Sequence, residues 1–208
     1  MEYNEKQTAI INTAEKLFAE KGFDGTSVRD IAQEAGINIA MISYYFGSKE
    51  KLMEALFENR TTATRLKIEA LIQDAEMPHI EKVNTLIDGY VDKFMQRQAF
   101  HKIMIREQLV DNGSIISGCI FDVKKRNLDS IKKLIQDGQK AGVFKKNIDV
   151  MLMMTTMVGT VNQMLASQRF YRQMNNMEDM PEAEFQKHIK KKLSTHLKHL
   201  FKITLANG

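Results

Sequence analysis

Residues 24–52 read DGTSVRDIAQEAGINIAMISYYFGSKEKL, and within them Ala32, Gly36 and Ile42 stand four and then six residues apart. That spacing is what a helix-turn-helix needs. Ala32 is small enough for two helices to approach closely. Gly36 supplies the positive φ that a tight interhelical turn demands. Ile42 fills the gap between the helices from the second one. Such a motif lays its second helix in the major groove of DNA, so the stretch predicts a sequence-specific DNA-binding protein.

The flanks extend the pattern. Upstream, Ile10, Ile11, Ala14, Leu17 and Phe18 recur on one helical face. Asn4 and Gln7 are spaced for a capping box at the start of that helix, and Gly22 ends it, with Lys21 in the last turn. Thr26 or Ser27 caps the next helix, which carries Asp30 in its first turn, and Asn38 caps the third. Gly47 or Ser48 caps a long fourth helix. Three short helices are therefore expected in the first fifty residues, followed by a long one.

At Ala14-Glu15-Lys16-Leu17-Phe18, Lys21-Gly22-Phe23, Thr26-Ser27-Val28-Arg29-Asp30-Ile31-Ala32, Ala35-Gly36-Ile37-Asn38, Tyr45-Phe46 and Ser48-Lys49-Glu50-Lys51-Leu52, the chain resembles the N-terminal domain of the tetracycline-repressor-like (TetR) family of bacterial transcription regulators. The resemblance is dense over roughly the first fifty residues and weak beyond them. It implies a DNA reader joined to a variable helical domain that binds a small ligand and dimerises. Two positions depart from the family's recognition helix: Ser43 stands where a Tyr is usual, and Ala40 where a Gly is usual. The inherited base contacts change with them, while the fold does not.

The whole chain supports an all-α protein. It has 208 residues, two prolines and no tryptophan, enough to bury a core in one or two domains. It contains no 18-residue apolar run that would span a membrane. Its first ten residues do not read as a signal peptide, and a single Cys119 excludes an internal disulfide. A cytoplasmic location is the expectation. The net charge of +4 suits a polyanion partner. Yet residues 1–50 hold five cations (Lys6, Lys16, Lys21, Arg29, Lys49) against eight anions (Glu2, Glu5, Glu15, Glu20, Asp24, Asp30, Glu34, Glu50) and are net −3. DNA binding then requires those acids, Glu15 and Glu20 among them, to sit away from the reading face.

The expected division is a DNA-binding domain over 1–48 and a helical effector-binding and dimerisation domain over 49–208, with about nine helices in all. The later helices are expected over 49–73, 80–96, 100–110, 114–141, 147–171 and 181–204. Breaks fall at Asp111-Asn112-Gly113 and at 175–181, Ser114 and Gly142 act as caps, Asn147 opens its helix, and Pro181 sits at a first helical position.

For DNA contact the candidates are Thr26, Ser27, Arg29, Asn38, Ile39, Ala40, Met41, Ser43, Tyr44, Tyr45 and Lys49. Ile39, Ala40 and Met41 begin the recognition helix, the end that reaches base edges. Tyr44 lies two residues from both Ile42 and Phe46, which turns it outward. Tyr45 is three from Ile42 and divides between core and contact. Arg29 is the long donor able to fork onto a guanine, or else a surface partner of Glu34 or Asp30. Lys49 begins the fourth helix, beside free backbone N–H groups that suit a phosphate.

No catalytic constellation, metal site or cofactor motif is present in the sequence. His188, His196 and His199 stand among lysines that repel a metal, and Cys119 reads as a half-buried helical thiol. The segment 147–171 is apolar almost all round, so it needs a partner on more than one side. Together with the stripe Phe185, Ile189, Leu193, Leu197 and Leu200 it predicts a four-helix homodimer interface, with Met157, Val161, Met164, Leu193, Leu197 and Leu200 in it; a large monomer core is the weaker alternative. Met95, Met104, Phe121, Met151 and Met154 are the apolar candidates for an effector, although ordinary core filling is the better reading for each of them singly. The existence of an effector is implied by the family resemblance. The combined expectation is a dimeric repressor that binds double-stranded operator DNA and is released by a small, largely apolar effector. A helical protein-interaction module and an effector-free DNA-binding regulator are the alternatives.

Overall fold

The first helix, α1 (Glu5–Lys21), forms where the capping box is complete. The Gln7 N–H donates to Asn4 Oδ1 at 2.9 Å, and Gln7 Oε1 accepts from the Asn4 N–H at 3.0 Å. Its apolar face is fully buried from Ile10 to Phe18. In this computed structural model, residues 3–110 and 115–206 are described. The expected break at 111–113 and the Ser114 cap lie outside them.

Helix α2 (Val28–Glu34) is capped by Ser27, which answers the choice between Thr26 and Ser27. It ends in a Schellman arrangement: the Gly36 N–H bonds to Gln33 O at 3.2 Å and the Ile37 N–H to Ala32 O at 3.0 Å. Gly36 takes φ 64°, the left-handed conformation that the turn requires. Asn38 caps α3 (Ile39–Phe46) through its side chain. Ala32 and Ile42 are 3% and 1% exposed, so the spaced triple packs α2 against α3 as expected. Ser48 Oγ accepts the Lys51 N–H at 3.2 Å at the start of α4 (Lys49–Gln73).

The remaining helices are α5 (His79–Gln96), α6 (Gln98–Val110), α7 (Ile115–Lys140), α8 (Val150–Ala166), α9 (Gln168–Met174) and α10 (Glu182–Leu205). The chain packs as two compact units, each discontinuous in sequence. One comprises Met1–Lys67 with Arg97–Arg126, the other Ile68–Gln96 with Asn127–Gly208. The three reader helices therefore pack with the first part of α4, with α6 and with the first part of α7.

The first unit has one apolar cluster, from Ile10 and Phe18 through Ile42, Leu56 and Phe57 to Phe100 and Ile120. Beside it lies an ion pair that crosses from α1 to α4. Arg60 Nε donates to Glu15 Oε2 at 2.8 Å, with both side chains only 14% and 11% exposed. Arg97 Nη1 adds a bond to the Arg60 carbonyl at 2.6 Å. Glu15 is thus neutralised inside the unit by a partner that the sequence reading did not name. It lies four residues after Ile11 and three before Phe18, on the buried face.

The second unit has its own cluster, in which Val83, Ile87 and Val91 of α5 meet Met157 and Val161 of α8 and the α10 stripe Phe185, Ile189, Leu193, Leu197, Phe201 and Leu205. Gly138 is required here for space: a Cβ would come within 2.2 Å of the Phe144 ring. The α10 end is latched by Lys145, whose N–H bonds to Leu205 O at 2.8 Å.

Three helix boundaries differ from expectation. Asn147 takes φ 62° ahead of α8, and Asp149 is the N-cap, accepting the Leu152 N–H at 2.9 Å. The segment expected to run unbroken to 171 stops at Ser167, whose hydroxyl donates back to Gln163 O at 2.6 Å and whose ψ of 24° leaves the helix. Pro181 is the N-cap of α10 rather than its first helical residue. The Ser167 break makes ten helices among the described residues.

Candidate nucleic-acid interface

The outer face of α3 follows from the burial of Ile42. Turning Ile42 inward leaves Ile39 46% and Tyr44 79% exposed, with Ala40 and Ser43 also exposed and Met41 half-buried. Tyr45 packs partly on the first core, its ring 5.1 Å from that of Tyr44. The face is thus a short apolar and hydroxyl-bearing strip: Ile39, Ala40, Ser43, Tyr44.

Arg29 is exposed in the first turn of α2. Both acids considered as its partners are engaged by others. Glu34 pairs with Lys16 at 2.6 Å, and Asp30 accepts the Ser27 N–H at 2.8 Å and the Ser27 hydroxyl at 2.6 Å. Those Ser27 bonds hold the Asp30 carboxyl below its usual pKa, and the Lys16 bond does the same for Glu34. Among the described residues no ion pair holds Arg29, so its guanidinium is available to a ligand.

Four other candidates have internal work. Thr26 is a correction: it is 1% exposed, and its hydroxyl donates to Gly22 O at 2.7 Å. The physical reason is that the end of α1 leaves carbonyls in need of a donor. Ser27 and Asn38 are exposed, but their side chains serve as caps. Lys49 donates through Nζ to Phe23 O at 2.9 Å and to Thr26 O at 3.0 Å.

Four of the six expected interface residues are also corrected. Met157, Val161, Leu193 and Leu197 are at most 7% exposed within this single chain. They fill its own second core because the α10 stripe faces α5 and α8. Met164 and Leu200 pack partly on the same core. Apolar surface remains instead at Met151 and Leu152 of α8, Phe170 and Met174 of α9, and Ile203 of α10.

Of the effector candidates, Met104 packs on the first core, and Met95 and Met154 pack on the second. Phe121 is 64% and Met151 58% exposed. A cavity of about 350 Å³ in the second unit is bordered by Lys145, Asn147, Asp149, Leu152, Met153 and Phe201 among others, and none of the five candidates lines it.

The residues missed from sequence are mostly buried or half-buried cations that bond backbone. Arg172 donates to Met180 O at 2.7 Å and lies 3.8 Å from the centroid of the Phe185 ring, holding the segment before α10. Lys82, 5% exposed, reaches Ile72 O in the last turn of α4 at 3.2 Å. A charged residue amid helically spaced apolar ones was the only available signal.

Comparison with known proteins adds two family matches. Residues 10–56 match the model of bacterial regulatory proteins of the tetR family, and residues 80–196 match a tetracyclin repressor-like C-terminal domain. A curated relative, "Probable HTH-type transcriptional regulator YttP" of Bacillus subtilis, is 60% identical over 47 residues, 23% of each chain. Two further Bacillus subtilis regulators are matched over 42% of their own lengths, so the chain spans less than half of these relatives. Among solved structures, the ketosteroid transcriptional regulator KstR2 of Mycobacterium tuberculosis aligns with TM-score 0.71 at 21% identity, covering 100% of this chain and 98% of that one. FadR of Bacillus subtilis, solved with stearoyl-CoA, aligns with TM-score 0.65 at 21% identity, covering 91% and 96%. At these identities the structures establish the likeness of fold.

Proposed function

Because the chain belongs to the tetR family of bacterial regulatory proteins, we propose that it represses transcription by binding operator DNA as a homodimer in the cytoplasm and is released by a small apolar effector. The observation that carries the DNA reading is the exposed strip Ile39, Ala40, Ser43 and Tyr44 on α3, with Arg29 unengaged on α2. Methyl and ring groups on that strip suit thymine methyls, the Tyr44 hydroxyl suits a phosphate, and Arg29 suits a guanine edge.

A dimer places two readers on half-sites about one DNA turn apart, roughly 34 Å. The exposed apolar side chains of α8, Met151 and Leu152, supply surface for a second copy to cover. Release needs only that the effector bind more tightly to a state whose reader spacing does not match successive grooves. KstR2 is named for ketosteroids and FadR was solved with stearoyl-CoA. Those names support an apolar effector class here, with Met95 and Met154 as the contacts we retain for it. Among the described residues no helix is long and apolar enough to cross a membrane.

The test is selection of duplexes from a randomised pool by the full chain. A shared half-site motif is expected, and Arg29→Ala should relax one base pair of it by about 1–3 kcal/mol. Tyr44→Phe should weaken binding without altering the motif. A pool that shows no enrichment would leave the protein-interaction reading in possession. Thermal-shift screening of fatty acyl and steroid compounds, repeated with the selected duplex, tests the effector.

A further inference from the structure

Lys49 stands at the first position of α4, just after α3, where a cation is expected to meet a phosphate. Its ammonium is engaged elsewhere. Nζ donates to the carbonyls of Phe23 and Thr26 at 2.9 and 3.0 Å and lies 4.1 Å from the centroid of the Phe23 ring. Both carbonyls belong to the turn between α1 and α2. That turn is tied on its other side as well, by the Thr26 hydroxyl on Gly22 O and by the Phe23 ring against Phe18, 5.4 Å between centroids. From α6, the Arg106 guanidinium packs 2.7 Å from where a Gly22 Cβ would stand.

Bonds from an ammonium to carbonyls are charge-assisted, and the ring face adds attraction. Swinging the ammonium out to a phosphate would strip the Thr26 carbonyl of its donor in a part-buried site and leave the Phe23 carbonyl with the Thr26 N–H alone, at 3.2 Å. We propose that Lys49 is a positioning residue for DNA reading rather than a phosphate contact: it fixes the 22–27 turn, and so the start of α2, to the start of α4. The α2–α3 pair then presents Arg29 and Tyr44 at one angle. This rests on the reading of the chain as a DNA-binding regulator.

The experiment compares the full-length wild type, Lys49→Met and Lys49→Arg on a duplex that the wild type selects from a randomised pool. Affinity is measured across a salt series, and amide hydrogen exchange is followed over residues 22–27. Lys49→Met should bind about 10- to 100-fold more weakly, with the salt slope of the wild type and faster exchange in the turn. Lys49→Arg, which keeps the charge and the donors, should recover most of the affinity. A slope that falls by about 0.9 per subunit, with exchange unchanged, would overturn the proposal and make Lys49 a phosphate contact. Wild-type affinity in Lys49→Met would overturn it too. If that variant does not fold, Phe23→Leu removes the ring and leaves both carbonyl bonds. A smaller loss at unchanged slope supports the proposal, and wild-type affinity with unchanged exchange sinks it. A wild type that selects no duplex defeats the DNA-binding reading itself. The exchange comparison then still decides whether Lys49 holds the turn.

Discussion

Glu15 and Arg60 form the most consequential pair in the first unit at the scale of single residues, because both side chains are nearly withdrawn from solvent. Breaking such a pair from one side leaves a charge without a partner. Arg60→Ala should therefore lower stability by about 3–5 kcal/mol, whereas the double replacement Glu15→Leu with Arg60→Met should recover most of it. Urea unfolding of both variants checks this, and equal losses in the two would mean that packing, not charge, is at stake. The pair also marks what a sequence conceals. The helical period placed Glu15 next to buried positions, but no spacing rule says that a residue forty-five positions away will neutralise it. Thr26 and Ser27 make the same point more sharply. They are adjacent, both carry a hydroxyl, and both fit a helix start. Only the orphan carbonyls at the end of α1 decide that Thr26 turns inward and Ser27 caps.

Single elements were largely legible, because caps and apolar periods are local. The Asn4–Gln7 box, the Gly36 turn and the Asn38 cap all sit where the sequence puts them. The break at Ser167 was not legible: neither glycine nor proline stands there, and the apolar pattern continues across it. Helix α2 offers a test of how one element responds to acid. Asp30 bonds to the Ser27 hydroxyl and N–H, and its carboxyl titrates below the ordinary value of 3.8. A depressed carboxylate stabilises the folded state above its unfolded value, and that contribution is lost as pH falls through the lower folded one. The start of α2 should thus fray below about pH 4 in wild type. In Asp30→Asn the Ser27 amide signal should show no such titration. A Ser27 amide that titrates equally in both proteins would assign the acid response to another group.

The division of the molecule was the least legible, since the first unit recruits α6 and part of α7 from far along the chain. Periodicity identifies an apolar stripe but not what covers it, which is why Leu197 read as interface and proved to be core. The two roles separate by mutation. Leu197→Ala should cost about 2–5 kcal/mol whatever the oligomeric state. Leu152→Glu, on exposed surface, should leave monomer stability intact and shift sedimentation toward the monomer if α8 faces a second copy. A Leu152→Glu protein that sediments as a dimer would place the interface off that part of α8. The separation of the apolar interior into two clusters also has a calorimetric consequence. We expect each cluster to melt with its own enthalpy, so that a scanning trace resolves into two transitions; a single transition would mean that the two unfold together. Whatever binds only one unit raises the temperature of that transition first. Operator DNA and an effector would then be read on separate thermometers within one molecule. Any degree by which one ligand moves the other's transition is a direct measure of the coupling between them.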